Sequence, residues 1–370
     1  MEKVLFDRAS ILIKLTTETE PVGLSELIKD TMLGTKGLKY THGRVDDRLG
    51  YLHRPYHLWI SRKNKIIANV TFGGYETMMA FGRCNAYYVR YFAFRSDYKT
   101  SEDQNRETKG NSIVKKLISR IMAGHPASNG VGYGENIQDP AISFAYIEPD
   151  NMRSLHHALG FSFQIMRLFQ TLPFTRLKPR KKVEFSKVCE DEKESIRKLL
   201  NKHYANHNAL QFHYLFHHDN FFTVKGDNGE IIAACQVNDC MFHIENTGSK
   251  VFNNVVKVLE STGLSSKILD VKNLRFISFD HLYCLPGKEH VLINLFESLL
   301  NEFQLKLALM WFDTESPYYK MLMQTGDLGW IKRFYSPSPN AVVVNNLNLT
   351  DEQYEQIKEK PWFISSFDVT

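Results

Sequence analysis

Apolar positions along the chain recur with two periods. Period two marks half-buried strands and period 3.6 marks one-sided helices. Residues 10–15 (SILIKL) read as a first strand, and 20–32 as a helix with Pro21 in its first turn. Residues 56–61 and 66–72 are β-rich runs around a polar four-residue turn, a hairpin. The strongest strand signal is 87–94 (YYVRYFAF), where aromatics and Val alternate. In 112–122 (SIVKKLISRIM), Ile113, Leu117 and Ile121 share a face with Val114 and Ile118 beside it, which predicts a helix. A glycine-rich loop (124–139), a strand (141–147), a short helix (151–159) and a strand (161–172) follow.

A similar order then returns. The pattern predicts a strand at 183–188, a helix at 191–207 and a hairpin of 221–225 with 231–237 across Gly226-Asp227-Asn228-Gly229. A long strand (274–285), a helix (290–303), a strand (307–312) and a helix (317–324) come next. Closing strands at 330–335 and 341–344 and a helix at 351–360 capped by Thr350 end the pattern. Residue identity between the halves is poor, so the duplication rests on element order. The expected organisation is a domain over 1–173, a basic linker over 174–186 and a second domain over 187–370. The expected class is α/β (α+β), each domain a mixed sheet with helices on both faces.

Composition changes this picture little. Of 370 residues, 43% are hydrophobic and 24% charged, the balance of a globular chain. A net charge of +5 permits an anionic ligand without demanding nucleic acid. The densest basic run (Arg176, Lys178, Arg180, Lys181, Lys182) lies between the halves with Pro173 and Pro179, and reads as a solvated linker. Five scattered cysteines without a CxxC point to reduced thiols. With no long apolar run and no secretory pattern, neither membrane nor nucleic acid is expected as a partner, and a cytoplasmic location is expected. The sequence leaves the oligomeric state open.

Two motifs carry chemistry. The strand 87–94 exits through Arg95-Ser96-Asp97-Tyr98-Lys99, and Lys109-Gly110-Asn111-Ser112 later opens a helix. Small residues at a helix start let orphan backbone N–H groups approach an anion. Downstream, Glu148-Pro149-Asp150-Asn151-Met152-Arg153-Ser154 leads to Leu159-Gly160-Phe161. Here Asn151 is expected to cap a helix and Gly160 to supply the positive φ at its end.

Together these motifs resemble the GCN5-related N-acetyltransferase (GNAT) superfamily over roughly residues 56–172, and the second half reads as a degenerate copy. The resemblance implies two tandem GNAT-like domains. It also implies coenzyme A, with acetyl-CoA as co-substrate, between splayed parallel strands 87–94 and 141–147. Its pyrophosphate would meet Lys99, Lys109, Gly110, Asn111 and Ser112, and its pantetheine would run along Phe92 and Phe94, with Asn151 and Ser154 near. Glu107 stands where Gln or Arg is usual. Either it is a departure, or 100–108 is an insertion and Lys99 takes the basic role. Glu148, ahead of Asp97, is the candidate base, and His156 is the candidate acid for the leaving thiolate. The acceptor would be a small-molecule or peptide amine. The alternatives are a non-catalytic acyl-CoA or protein binder, and long-chain acyl transfer from a carrier protein. Gly130-Val131-Gly132-Tyr133-Gly134 lies between a helix and a strand, the wrong order for a dinucleotide fingerprint. His203, His207, His213, His217 and His218 show no HExxH and read as polar–aromatic packing, so no metal is expected.

Overall fold

The computed structural model describes residues 2–8, 11–34, 39–95, 139–148, 150–246, 270, 272–329, 331 and 339–370. The predicted helix at 112–122, the glycine-rich loop up to 138, Asp97, Glu107 and the anion cradle of Lys99, Lys109, Gly110, Asn111 and Ser112 lie outside these residues. So does nearly all of the predicted strand 330–335.

The first half runs β1 (Glu2–Arg8), β2 (Ile11–Thr17), α1 (Leu24–Lys29), β3 (Lys39–His42), α2 (Val45–Gly50), β4 (Pro55–Arg62), β5 (Lys65–Met79), β6 (Gly82–Phe94), β7 (Ala141–Ile147), α3 (Met152–Gly160) and β8 (Gln164–Thr175). The second runs β9 (Ser186–Lys187), α4 (Lys193–His203), β10 (Phe221–Lys225), β11 (Ile231–Asn246), β12 (Asn273–Cys284), α5 (Glu289–Glu302), β13 (Leu307–Asp313), α6 (Pro317–Thr325), β14 (Asn340–Asn346), α7 (Asp351–Glu359) and α8 (Ser366–Val369). Most predicted elements are present with edges moved by a few residues. Four predictions fail locally. Helix 20–32 shrinks to α1, because Gly23 in the left-handed region precedes it and Pro21 lies outside. Strand 183–188 shrinks to two residues. Helix 191–207 becomes a 3₁₀ turn (Glu190–Glu192) followed by α4. Gly160 is the last residue of α3, and the positive φ falls on Ser162 (68°).

All 14 strands join one sheet, ordered β1-β2-β4-β5-β6-β7-β14-β8-β13-β12-β11-β10-β9, with β3 on β11. The halves exchange strands. β14 of the second half lies between β7 and β8, while β8 of the first pairs with β13. β3 of the first half adds to the second half's β11. The exchange explains the middle of the sheet: Val342, Val343 and Val344 of β14 are fully buried, as expected for a strand packed on both faces. In the basic linker Lys178, Arg180, Lys181 and Lys182 are exposed, in line with a solvated run, and the segment is anchored at two points. Arg176 pairs with Glu297 of α5 at 2.9 Å and with Asp327 at 2.9 Å, and Lys182 N–H donates to Ser298 Oγ at 2.8 Å.

Among the described residues two strand pairs are parallel, and they occupy matching places. β6 meets β7 over Asn85–Tyr88, and β12 meets β13 at Ile277 and Ser278. Three residues beyond each last contact the strand bulges. Tyr91 and Phe92 stand opposite Val70 alone, and His281 and Leu282 stand opposite Cys235 alone. Both first bulge residues are left-handed, Tyr91 at φ 53° and His281 at φ 44°. The correspondence continues after β7 and β13. Asn151 N–H donates to the Glu148 carbonyl (2.8 Å) and Ser316 N–H to the Asp313 carbonyl (2.9 Å). Asn151 and Ser316 then cap helices of equal length, nine residues each. The duplication that element order suggested is thus present in backbone detail that residue identity hides.

Candidate active site

The candidate site is the cleft where β6 and β7 part. Parallel pairing ends at Tyr88 and Phe144, and the bulge at Tyr91 turns the rest of β6 away. A bulge inserts one residue that leaves the hydrogen-bonded ladder and re-aims its neighbours. Past it, Phe92 and Phe94 project to the same side, their rings edge-to-face at 4.7 Å. They are 37% and 45% exposed, an apolar lip at the end of a strand whose alternate residues are buried. The expected residues of the opposite wall are also here. Asn151 accepts from Ser154 N–H at 3.1 Å, so the expected cap forms. Glu148 lies half-buried at the exit of β7, one turn before that cap. On α3, His157 is the histidine that meets Phe92, with ring centroids at 6.5 Å. His156 lies on the exposed face.

Beneath the cleft is a buried polar centre that the motif reading missed. Tyr88 and Arg90 of β6 reach the segment 365–370. Tyr88 Oη donates to the Asp368 carbonyl (2.7 Å), and Tyr75 Oη to Asp368 Oδ2 (3.1 Å). Arg90 donates through Nη1 to the Phe367 carbonyl (2.9 Å) and through Nη2 to the Thr370 carbonyl. Asp280 of β12 grips the other end of the same segment. Its Oδ2 accepts from Ser366 N–H (2.9 Å), Ser366 Oγ (3.0 Å) and Ser365 Oγ (3.3 Å). Arg90 and Asp280 are corresponding residues, each one before its bulge. The anion sits at the amino end of α8 and the cation at its carbonyls, the favourable orientation for the helix dipole. Burial lifts the Asp368 carboxyl to about 7, although Arg90 opposes the rise. One signal could have revealed this centre. A single charge interrupts each aromatic-rich strand, Arg90 in YYVRYFAF and Asp280 in FISFDHLYC, and a charge in a buried strand needs a partner.

The second cleft, between β12 and β13, is filled. Tyr204, Leu282, Trp311, Tyr318, Trp362, Phe363 and Ile364 are all buried around it, and the space left is water-sized. Asp313, which corresponds to Glu148, is fully buried. It takes Arg167 through two bonds (2.7 and 2.9 Å), Trp362 N–H (2.8 Å) and Glu315 N–H (2.8 Å). His203 bonds the Tyr318 hydroxyl at 2.8 Å, and His207 packs on Tyr204 at 5.0 Å, in line with aromatic packing.

A twice-built mixed sheet, parallel and splayed beside a bulge in each copy, is a tandem GNAT-like fold. Solved structures agree. The chain superposes on Saccharomyces cerevisiae N-myristoyltransferase with bound myristoyl-CoA at a TM-score of 0.57 and 8% identity, over 98% of this chain and 90% of that one. A second structure of that enzyme with myristoyl-CoA gives 0.58 and 9%, over 97% and 85%. A third, with myristoyl-CoA and inhibitors, gives 0.57 and 8%, over 97% and 87%. No protein-family model matches the sequence, and no curated protein matches it in sequence. At these identities the likeness is one of fold, and at that level it bears out the resemblance read from the motifs.

Proposed function

We propose that this chain is an acyl-CoA-dependent N-acyltransferase that works in the open cleft of its first half. The observation that carries the reading is the Tyr91 bulge, placed where β6 and β7 diverge and beside the exposed Phe92–Phe94 lip. Backbone N–H groups freed from a ladder are fixed donors for a developing oxyanion. The thioester carbonyl belongs against them, with pantetheine along the Phe92–Phe94 edge. On the motif resemblance the pyrophosphate goes to Lys99, Lys109, Gly110, Asn111 and Ser112, with Asn151 and Ser154 as further coenzyme contacts. Acceptor nitrogen attacks the carbonyl carbon, the C–N bond forms, and the C–S bond breaks to release coenzyme A. Glu148 takes the proton from the amine. His156, the acid expected for the leaving thiolate, lies on the exposed face of α3, and His157 is the imidazole beside Phe92, so in this reading the thiolate takes its proton from His157 or from water.

The acyl group in this proposal is acetyl, on the motif resemblance. The fold neighbours were solved with myristoyl-CoA, so chain length belongs in the test. Calorimetric titration with coenzyme A, acetyl-CoA and myristoyl-CoA should give one micromolar site per chain. The Gly110→Glu variant should lose that site while its circular dichroism stays native. Absence of binding to all three thiols and thioesters overturns the proposal. Binding without turnover of any amine favours the non-catalytic alternative.

A further inference from the structure

Part of the histidine cluster is left unused by this reading. Asp47 of α2 faces His217 and His218, and donor atoms of all three lie within 4.8 Å of one another. His218 Nε2 is 3.3 Å from Asp47 Oδ1, and His217 Nε2 is 3.9 Å from Asp47 Oδ2. Donors about 2.0–2.1 Å from a tetrahedral ion sit about 3.3 Å apart, so little movement is needed to close on one.

The backbone is bent to make this cluster. Adjacent side chains point apart in a strand and diverge around a helix. Here Phe216, His218 and Asp219 are all left-handed (φ 67°, 54° and 52°), and the two imidazoles end 4.0 Å apart on one side. Left-handed geometry in three residues out of four is costly for residues with a Cβ, and such strain gathers at functional sites. Tyr51 packs edge-on against both rings, at 4.1 and 5.6 Å, and Phe367 packs against His217 at 5.1 Å. His217 is only 7% exposed, and its Nε2 has no hydrogen-bond partner among the described residues.

We propose that Asp47, His217 and His218 form a three-ligand site for a borderline divalent transition-metal ion of the zinc class. Two imidazoles and one carboxylate suit such an ion. The ligands come from α2 of the first half and from the 217–219 turn of the second, so the ion staples the halves together. The His218 side chain is 51% exposed, which leaves the outer coordination positions to water. Arg48 Nη1 lies 3.7 Å from Asp47 Oδ2. It pairs with the carboxylate, and its charge opposes the ion, which weakens binding relative to the same ligands without a neighbouring cation.

The test uses the full chain, stripped with chelator, titrated with ZnCl2 by calorimetry and with Co2+ by visible absorption. One saturable ion per chain is expected, together with a raised Tm. His218→Ala and Asp47→Asn should each weaken binding more than about tenfold. His53→Ala, in a separate stacked pair with His213 at 4.1 Å, should leave it unchanged. His218 is half-exposed, so its variant keeps the fold, which circular dichroism checks. No saturable binding below millimolar Zn2+, or binding that survives His218→Ala, overturns the proposal.

Discussion

At Tyr91 and at His281 the chain makes the same bulge, three residues past the same kind of parallel contact. The next residue is Phe92 in one cleft and Leu282 in the other. Phe92 is 37% exposed and Leu282 is 1% exposed. Glu148 stays half-buried at the first mouth, whereas Asp313 is sealed behind Arg167 and Trp362 at the second. A GNAT-like backbone therefore does not define a site by itself. The second copy has turned its cleft into core, and the segment 361–364 fills it. The first keeps an apolar lip at its opening. Duplication preserved the backbone geometry, and side-chain filling closed the second copy, while Phe92 and Phe94 stay exposed at the first.

The comparison is most exposed to a paired truncation. Leu282→Ala should cost about 2–5 kcal/mol in urea unfolding, because a buried Leu leaves both transfer energy and a cavity behind. It should leave acyl-CoA affinity untouched. Phe92→Ala should do the reverse, costing under about 1 kcal/mol of stability while weakening acyl-CoA binding about tenfold. Equal stability losses at the two positions would mean that the first cleft is filled as well.

The polar centre between the clefts gives a test in pH. The Asp368 carboxyl is raised from an ordinary 3.8 to about 7 in the folded chain, mainly by burial. The folded state therefore holds this proton more tightly than the unfolded state. Its contribution is fully present below about pH 4 and is lost as pH rises through about 7. The stability difference between Asp368→Asn and the parent should shift in favour of the variant across that window. A difference that stays flat with pH would show that the group titrates normally. Using the difference cancels His207, His213 and His217, whose values are pulled down to about 4 and whose contributions run the other way.

The smallest effect concerns the caps. Asn151 and Ser316 each accept from a backbone N–H three residues on, at 3.1 and 3.2 Å. Replacement by Ala should cost about 1 kcal/mol at either site. Thermal unfolding of both variants checks whether the two copies are equivalent here. A cost at Ser316 alone would confine the structural role of the cap to the closed copy.

Much of this was legible along the chain. β7 falls on the residues that the periodicity marks, α3 follows its Asn151 cap, and α6 lies within a residue of the predicted helix 317–324. These depend on neighbours within a few residues, which sequence order preserves. The apolar lip was legible too, since Phe92 and Phe94 alternate on a strand whose exit resembles a family motif. The chain also specified two similar element orders, each with a lone charge inside an aromatic strand. What it could not specify was the traffic between the halves. β14 inserted beside β7, β3 added to β11, and residues 365–370 held between Arg90 and Asp280 all join positions far apart in sequence. Such contacts leave no periodic trace, because each partner satisfies its own local pattern equally well wherever it docks. The exposure of Phe92 and Phe94 at the first cleft and the closure of the second belong to the same class. They depend on which distant side chains arrive, and only the tertiary structure brings those together.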